Sequence, residues 1–357
     1  RDLHSFPTRR SSDLDSNLIL PNIKLLTFAE LQAFLHQHGE AAYRAEQIWH
    51  WLYDKWINDF DEMRNLPTAL RQTLQAEFRA FSLRVKDKQS ATDGTVKWLC
   101  ELGDGLCVET VLIRSGKRNT VCISTQVGCQ VRCVFCASGK NGLKRNLQSC
   151  EIIDQVLLAC QYLQEKVSNI VVMGMGEPLH NLENLLPALE LLFSAEAFGL
   201  SARNITISTS GIVPGIKKLA ELQRPWNLAI SLHATNEEQR RQLIPDAQRY
   251  PIEEILAACQ YHSQRCNRMP TLEYALLQGF NDSAQDAARL ARLAKKLHAK
   301  INLIPCNPGP SKHRAPTFSH CQRFQELLRQ AGAKATLRVR KGDSIQAACG
   351  QLQERNQ

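Results

Sequence analysis

Apolar positions change their spacing along the chain, and each regime predicts a different kind of structure. Over residues 27–81 they recur at helical intervals. Thr27 can cap a helix that runs Phe28-Ala29-Glu30-Leu31-Gln32-Ala33-Phe34-Leu35, and Gly39 marks its end. A second helix is expected over 43–55, with Ile48, Trp49, Leu52 and Trp56 at helical spacing, and a third follows Pro67. The Trp and Tyr side chains here can stack on bases. A helical domain this small needs most of them for its core.

Residues 96–102 and 106–113 then read as two strands around Gly103-Asp104-Gly105, a hairpin signal, with a further turn upstream at Asp93-Gly94. From Thr120 the pattern changes again. Short apolar strands are expected over 120–125, 170–175, 205–209, 228–233, 272–277 and 301–305. Helical stretches follow them, such as 151–164 and 252–265. Serial β-α units predict an α/β fold: a partial (β/α)6 barrel with a small N-terminal helical domain and a β-hairpin extension.

In such folds the chemistry sits at the C-terminal ends of the strands. Small and polar residues gather there: Gly174-Met175-Gly176-Glu177-Pro178, Ser208-Thr209-Ser210-Gly211, Ser231-Leu232-His233-Ala234 and Asn307-Pro308-Gly309. Taken singly, Gly-Glu-Pro is an ordinary turn and His233 an ordinary packing histidine. Their shared placement is the signal.

Composition narrows the class. At 357 residues with 43% hydrophobic content, the chain can bury one large or two medium cores. No apolar stretch approaches the ~20 residues of a membrane span, and no secretory core segment stands near the start, so a cytoplasmic protein is expected. Residues 1–15 are polar and unpatterned and do not begin with Met; they are expected to be a leader foreign to the native protein. Thirteen scattered cysteines do not form a secreted disulfide framework and fit a reducing compartment.

A net charge of +9 permits a polyanionic partner such as RNA. Basic residues recur at Lys140-Lys144-Arg145, Arg240-Arg241, Lys312-His313-Arg314 and Arg338-Arg340-Lys341. A solvated basic surface has the same composition.

Cys129, Cys133 and Cys136 stand in a C-x3-C-x2-C run just after the first barrel strand. A shuffled chain of this composition would contain about 0.02 such runs. Three thiolates on one loop can hold three corners of a cubane [4Fe-4S] cluster, leaving one iron free for S-adenosylmethionine (SAM). Zinc and buried free thiols are the alternatives. Zinc would need a fourth ligand, for which His233 and Cys150 qualify by identity only.

Together with Ile301-Asn302-Leu303-Ile304-Pro305 and Ala347-Ala348-Cys349-Gly350-Gln351-Leu352, these motifs resemble the RlmN/Cfr family of radical-SAM RNA methyltransferases over residues 25–352. Tyr43-Arg44-Ala45-Glu46-Gln47 and Phe60-Asp61-Glu62-Met63 favour the RlmN branch. C2 of adenine is electrophilic and cannot attack a methyl sulfonium, so a radical route through a protein-bound methyl answers a chemical need.

The resemblance implies methylation of adenosine C2 in 23S rRNA, and in tRNA beside the anticodon. Two SAM molecules would serve per turnover. Cys349 would carry the methyl, Cys122 would resolve the protein-RNA bond through a transient disulfide, and Glu109 would accept the C2 proton. Cys129, Cys133 and Cys136 match the cluster ligands. Gly176, Glu177, Ser208, Ser231, Leu232, His233 and Asn307 match SAM contacts.

Glu109 by itself reads as an ordinary strand residue, and Cys122 and Cys349 as buried thiols; only the resemblance promotes them. It also implies an RNA-presenting helical domain (25–81), a hairpin extension (82–118) and a barrel ending in the methyl-carrier segment (119–352). A flavodoxin or ferredoxin would donate electrons, and a monomer is expected. Cys306 departs from the family, which often has an aromatic there. A Cfr-like C8 methyltransferase conferring antibiotic resistance, or an RNA-binding protein with a structural cluster, are the competing functions.

Overall fold

The computed structural model describes residues 20–308, 313–338 and 341–353. The leader at 1–15, Gly309 of the last rim motif, and Lys312 and Arg340 of the basic clusters lie outside the described residues.

Three helices come first: α1 (Phe28–Gln37), α2 (Tyr43–Tyr53) and α3 (Thr68–Glu77). At α1 the Glu30 N–H donates to Thr27 Oγ1 at 3.2 Å, and the Thr27 N–H donates to Glu30 Oε2 at 2.7 Å. This reciprocal capping box satisfies two donors that a helix start otherwise leaves open. Leu31, Leu35, Ile48, Leu52, Leu70 and Leu74 pack together, with Trp49 and Tyr53 buried among them. The expected second helix stops two residues early because Trp56 takes a positive φ of 55°.

The helical part is fastened to the rest by a buried ion pair. Lys24 Nζ lies 2.9 Å from Asp154 Oδ1, both side chains fully buried. Asp154 also accepts the Ser82 N–H at 2.7 Å, and Asn22 at 3.2 Å. Burial pushes the Asp154 carboxyl up, and the Lys24 ammonium opposes that shift.

The strands follow as β1 (Arg84–Ser90), β2 (Val96–Glu101), β3 (Cys107–Ser115), β4 (Arg118–Cys122), β5 (Gln126–Gly128), β6 (Leu143–Asn146), β7 (Asn169–Val172), β8 (Ile205–Thr209), β9 (Asn227–Ser231), β10 (Thr271–Leu276), β11 (Lys300–Pro305) and β12 (Lys334–Leu337). Between them run α4 (Ser149–Leu163), α5 (Leu182–Phe193), α6 (Val213–Glu221), α7 (Glu237–Leu243), α8 (Ile252–Cys266), α9 (Ala284–Leu297) and α10 (Phe318–Gln330).

Ten strands share one sheet in the order β1-β2-β3-β4-β7-β8-β9-β10-β11-β12, while β5 and β6 pair separately. From β4 onward every neighbour is parallel. All six expected barrel strands are present. A seventh parallel strand, β12, extends them; it is only four residues long and half exposed, too short to register as apolar periodicity.

The hairpin strands extend the same sheet, since β3 pairs antiparallel with β4. Leu228, Ala229 and Ile230 in succession are buried, as a parallel strand covered on both faces requires. No helix of the described residues is long and apolar enough to cross a membrane.

Candidate active site

The cysteine loop is built by its flanks. β5 and β6 pair at its base, with Gly128 opposite Leu143. Gly128 has φ 77°, and a Cβ there would overlap the Gly142 carbonyl oxygen, so glycine alone fits. Within the loop the Cys129 N–H donates to Gly142 O at 3.0 Å, and the Cys136 N–H to Cys133 O at 3.0 Å. These bonds bring Cys129, Cys133 and Cys136 to the wall of one cavity of about 150 Å3.

Burial pushes the Cys129 thiol up to about 12 and the Cys133 and Cys136 thiols up as well, and the negative charges of neighbouring groups add to this. Such thiols hold their protons until a cation replaces them. Among the described residues no three His, Cys, Asp or Glu side chains converge on a single-ion site. A cubane asks for something else, because each thiolate binds a different iron. Three thiols spread along one cavity wall fit that group.

The strand ends furnish the opposite wall. Gly176, Glu177, Ser208, Ser231, His233 and Asn307 all line this cavity. Gly176 has φ 109°, and a Cβ there would stand 2.7 Å from the Gln126 Cβ. Glu177 is 3% exposed; its Oε2 accepts the Ser210 N–H at 2.7 Å and its Oε1 the Leu179 N–H at 3.1 Å. A carboxylate has lone pairs left after two such bonds, enough to take an ammonium. Asn307 Nδ2 donates to Cys349 O at 2.9 Å, while its buried Oδ1 has no partner. An orphaned acceptor in a lined cavity fits a polar ligand such as SAM.

His233 receives the Ala275 N–H on Nδ1 at 3.0 Å, so its proton sits on Nε2. Burial first, and then the Arg240 cation, depress its pKa to about 3. Burial alone depresses His262 to about 4. Both rings are neutral when folded and gain a proton on unfolding once the pH is below 6.5, so acid favours the unfolded chain.

Stability from these groups is complete above pH 6.5 and declines as the pH falls toward each depressed value. Each histidine removes about 2 kcal/mol by pH 5. Urea unfolding of His262→Gln at pH 8 and pH 5 should therefore show a pH-dependent loss smaller by about 2 kcal/mol than in the parent. An unchanged loss would remove His262 from this account.

A second cavity of about 390 Å3 adjoins the first. Cys122, Arg118, Arg338, Lys341 and Met173 line it, and Asn307 and Cys349 line both cavities. Burial chiefly, and then the charge of Cys349, push the Cys122 thiol up to about 12. The Arg338 guanidinium sits beside Cys349, whose charge is the largest influence holding it protonated.

Two expected residues stand elsewhere. The Leu232 side chain is fully buried and lines neither cavity; its N–H donates to Ile230 O at 2.8 Å. Glu109, 1% exposed, also lines neither cavity. Its carboxylate is ion-paired to Lys97 at 3.1 Å and accepts the Gln353 N–H at 2.9 Å.

The site also holds residues that sequence patterns did not single out. Glu273 is a buried charge inside the apolar β10, a detectable anomaly. Arg240, grouped above with surface basic residues, is 1% exposed, donates to Ser210 O and lies within electrostatic reach of Cys133. Cys306 lines the first cavity at the position of the family aromatic.

Comparison with known proteins agrees over nearly the whole chain. Residues 21–80 match the ribosomal RNA large subunit methyltransferase N-terminal domain, and residues 123–291 match the radical SAM superfamily. The chain is 43% identical over 347 residues to the probable dual-specificity RNA methyltransferase RlmN of Akkermansia muciniphila, covering 95% of this chain and 97% of that one. It is 43% identical over 333 residues to the dual-specificity RNA methyltransferase RlmN of Marinobacter nauticus, covering 91% and 90% respectively. The crystal structure of a radical SAM methyltransferase from Sphaerobacter thermophilus superposes with a TM-score of 0.90 at 42% identity, over 93% of this chain and 99% of that one.

Proposed function

Because the chain belongs to the RlmN family of radical SAM RNA methyltransferases, we propose that it methylates C2 of adenosine in 23S rRNA and in tRNA, with Cys349 as the methyl carrier. The observation that carries this reading is the position of Cys349, on the shared wall of two cavities. One cavity has the donor set for a cluster and SAM. The other is lined by Arg118, Arg338 and Lys341, cations suited to a nucleotide and its phosphates.

Cys129, Cys133 and Cys136 would hold a [4Fe-4S] cluster, which when bound supplies the electron that cleaves SAM. Glu177 receives the amino group of SAM, Ser208 and Ser231 its hydroxyl or carboxylate oxygens, and Asn307 Oδ1 a remaining donor. His233 offers its Nε2–H and stays neutral. Cys349 accepts a methyl on sulfur from one SAM and presents it to adenine once a second SAM has been cleaved. Glu109 then takes the C2 proton. Cys122 attacks the Cys349 sulfur, forming a disulfide and releasing methylated RNA.

The test uses the reconstituted protein under anaerobic conditions with SAM, a reductant, and rRNA and tRNA fragments deuterated at adenosine C2. Nucleoside mass spectrometry is expected to find methyladenosine that has lost the deuterium. Methyladenosine that keeps the label would place the methyl at C8 and overturn the regiochemistry. Brisk SAM cleavage with no RNA product would overturn the substrate.

A further inference from the structure

Lys97 is a cation buried in an apolar strand, 3% exposed, with no place in the chemistry described so far. The register of β2 and β3 sets Lys97 opposite Val111 and Leu99 opposite Glu109. Lys97 and Glu109 are therefore diagonal neighbours on one face of the sheet, within reach of long side chains. Their ion pair is 3.1 Å long. Two buried charges hold such a place only when paired and further hydrogen-bonded.

The further bonds all go to one segment. Lys97 Nζ donates to the Gln346 carbonyl at 3.2 Å, and the Gln353 N–H donates to Glu109 Oε2 at 2.9 Å. Cys349 lies between these two anchors. Neither helix nor strand covers residues 346–353, so their place depends on such contacts. The middle of the segment is tied elsewhere: Asn307 donates to Cys349 O, the Ala137 N–H to Gly350 O at 2.8 Å, and Ser138 Oγ to Leu352 O at 2.6 Å. The ends rest on the hairpin and the middle on the cysteine loop and Asn307.

We propose that Lys97 is a positioning residue for the methyl carrier: with Glu109 it forms a two-ended clamp on residues 346–353 that aims Cys349 at both cavities. The inference rests on Cys349 being the carrier. It gives Lys97 a role that neither cluster binding nor SAM binding requires. A sulfur that must meet a methyl donor and then an adenine tolerates little displacement, because misplacement by about an ångström can cost a hundredfold in rate.

The experiment compares reconstituted, full-length Lys97→Met and Lys97→Arg with the parent. Hydrogen exchange is read over residues 346–353, and methylated RNA is counted per 5′-deoxyadenosine released. In Lys97→Met, exchange of the segment should speed up about tenfold or more. Methylated RNA per cleavage should fall about tenfold to a hundredfold, with the iron content retained. Lys97→Arg should restore most of both.

Parent-like exchange, or parent-like coupling despite faster exchange, overturns the clamp. Should Lys97→Met fail to fold, the neutral pair Lys97→Met/Glu109→Gln leaves no unpaired charge, and the same loosening is expected of it. Failure of the carrier reading would look different: the parent itself would carry no methyl on Cys349, while the exchange result could still stand.

Discussion

Cys349→Ala is expected to make no methylated RNA while still cleaving SAM. The sulfur is the only atom lost that could accept a methyl, and Cys349 is the one cysteine, among the described residues, that lines both cavities. The substitution should leave the fold intact. The bonds that hold the segment near its middle run to the carbonyls of Cys349, Gly350 and Leu352, not to the thiol. Cys129, Cys133 and Cys136 are untouched, so the cluster should assemble.

The measurements are the intact mass of the protein after incubation with SAM, the methyladenosine content of the RNA, and 5′-deoxyadenosine release. The parent should gain one methyl on Cys349, and the variant none. Methylated RNA from Cys349→Ala at even about one per cent of the parent rate would overturn the carrier role, because the uncatalysed polar route at an electrophilic carbon has no comparable rate.

What the sequence revealed, and what it hid, divides along the range of the interactions. Thr27 with Glu30 could be read as a cap because both partners lie within one turn. The barrel strands were visible because burial on both faces leaves unbroken apolar runs, as in Leu228-Ala229-Ile230. β1 was missed for the opposite reason. Arg84-Val85-Lys86-Asp87-Lys88-Gln89-Ser90 is almost wholly exposed and is held through its backbone by β2.

Among site residues, the rim motifs could be placed because strand order dictates which loops meet. Glu109 and Lys97 could not. Their partners are Gln346 and Gln353, more than two hundred positions away, and no local pattern records that contact. Arg240 was misplaced on the surface because composition counts a charge without its surroundings. Leu232 sits in a motif whose neighbours face the cavity while its own side chain faces the core.

Cys122→Ala should give the second large effect: enzyme that stalls with RNA covalently attached. Cys122 and Cys349 line the same cavity, and Cys122 feels the charge of Cys349 strongly enough for its own thiol to be pushed further up. At rest, therefore, Cys122 is protonated and unreactive, with a pKa of about 12. Once Cys349 is bonded to the methylene carbon of the adduct, its sulfur carries no charge. That repulsion is gone, and the Arg338 cation, which already favours the Cys122 thiolate, acts unopposed by it. Resolution is thus favoured only after the adduct exists, which protects the carrier from premature oxidation to the disulfide.

Removing the Cys122 sulfur should leave methylation of Cys349 and addition to adenine in place and block release. After nuclease trimming, mass spectrometry should find a nucleotide on the peptide containing Cys349 in Cys122→Ala, and no such adduct in the double variant Cys122→Ala/Cys349→Ala. In the parent, release should quicken with rising pH while Cys122 remains mostly protonated, since the attacking species is the thiolate. Rapid multiple turnover by Cys122→Ala with no adduct would overturn the resolving role and leave the carrier role of Cys349 standing, because the two cysteines act on opposite sides of the same bond.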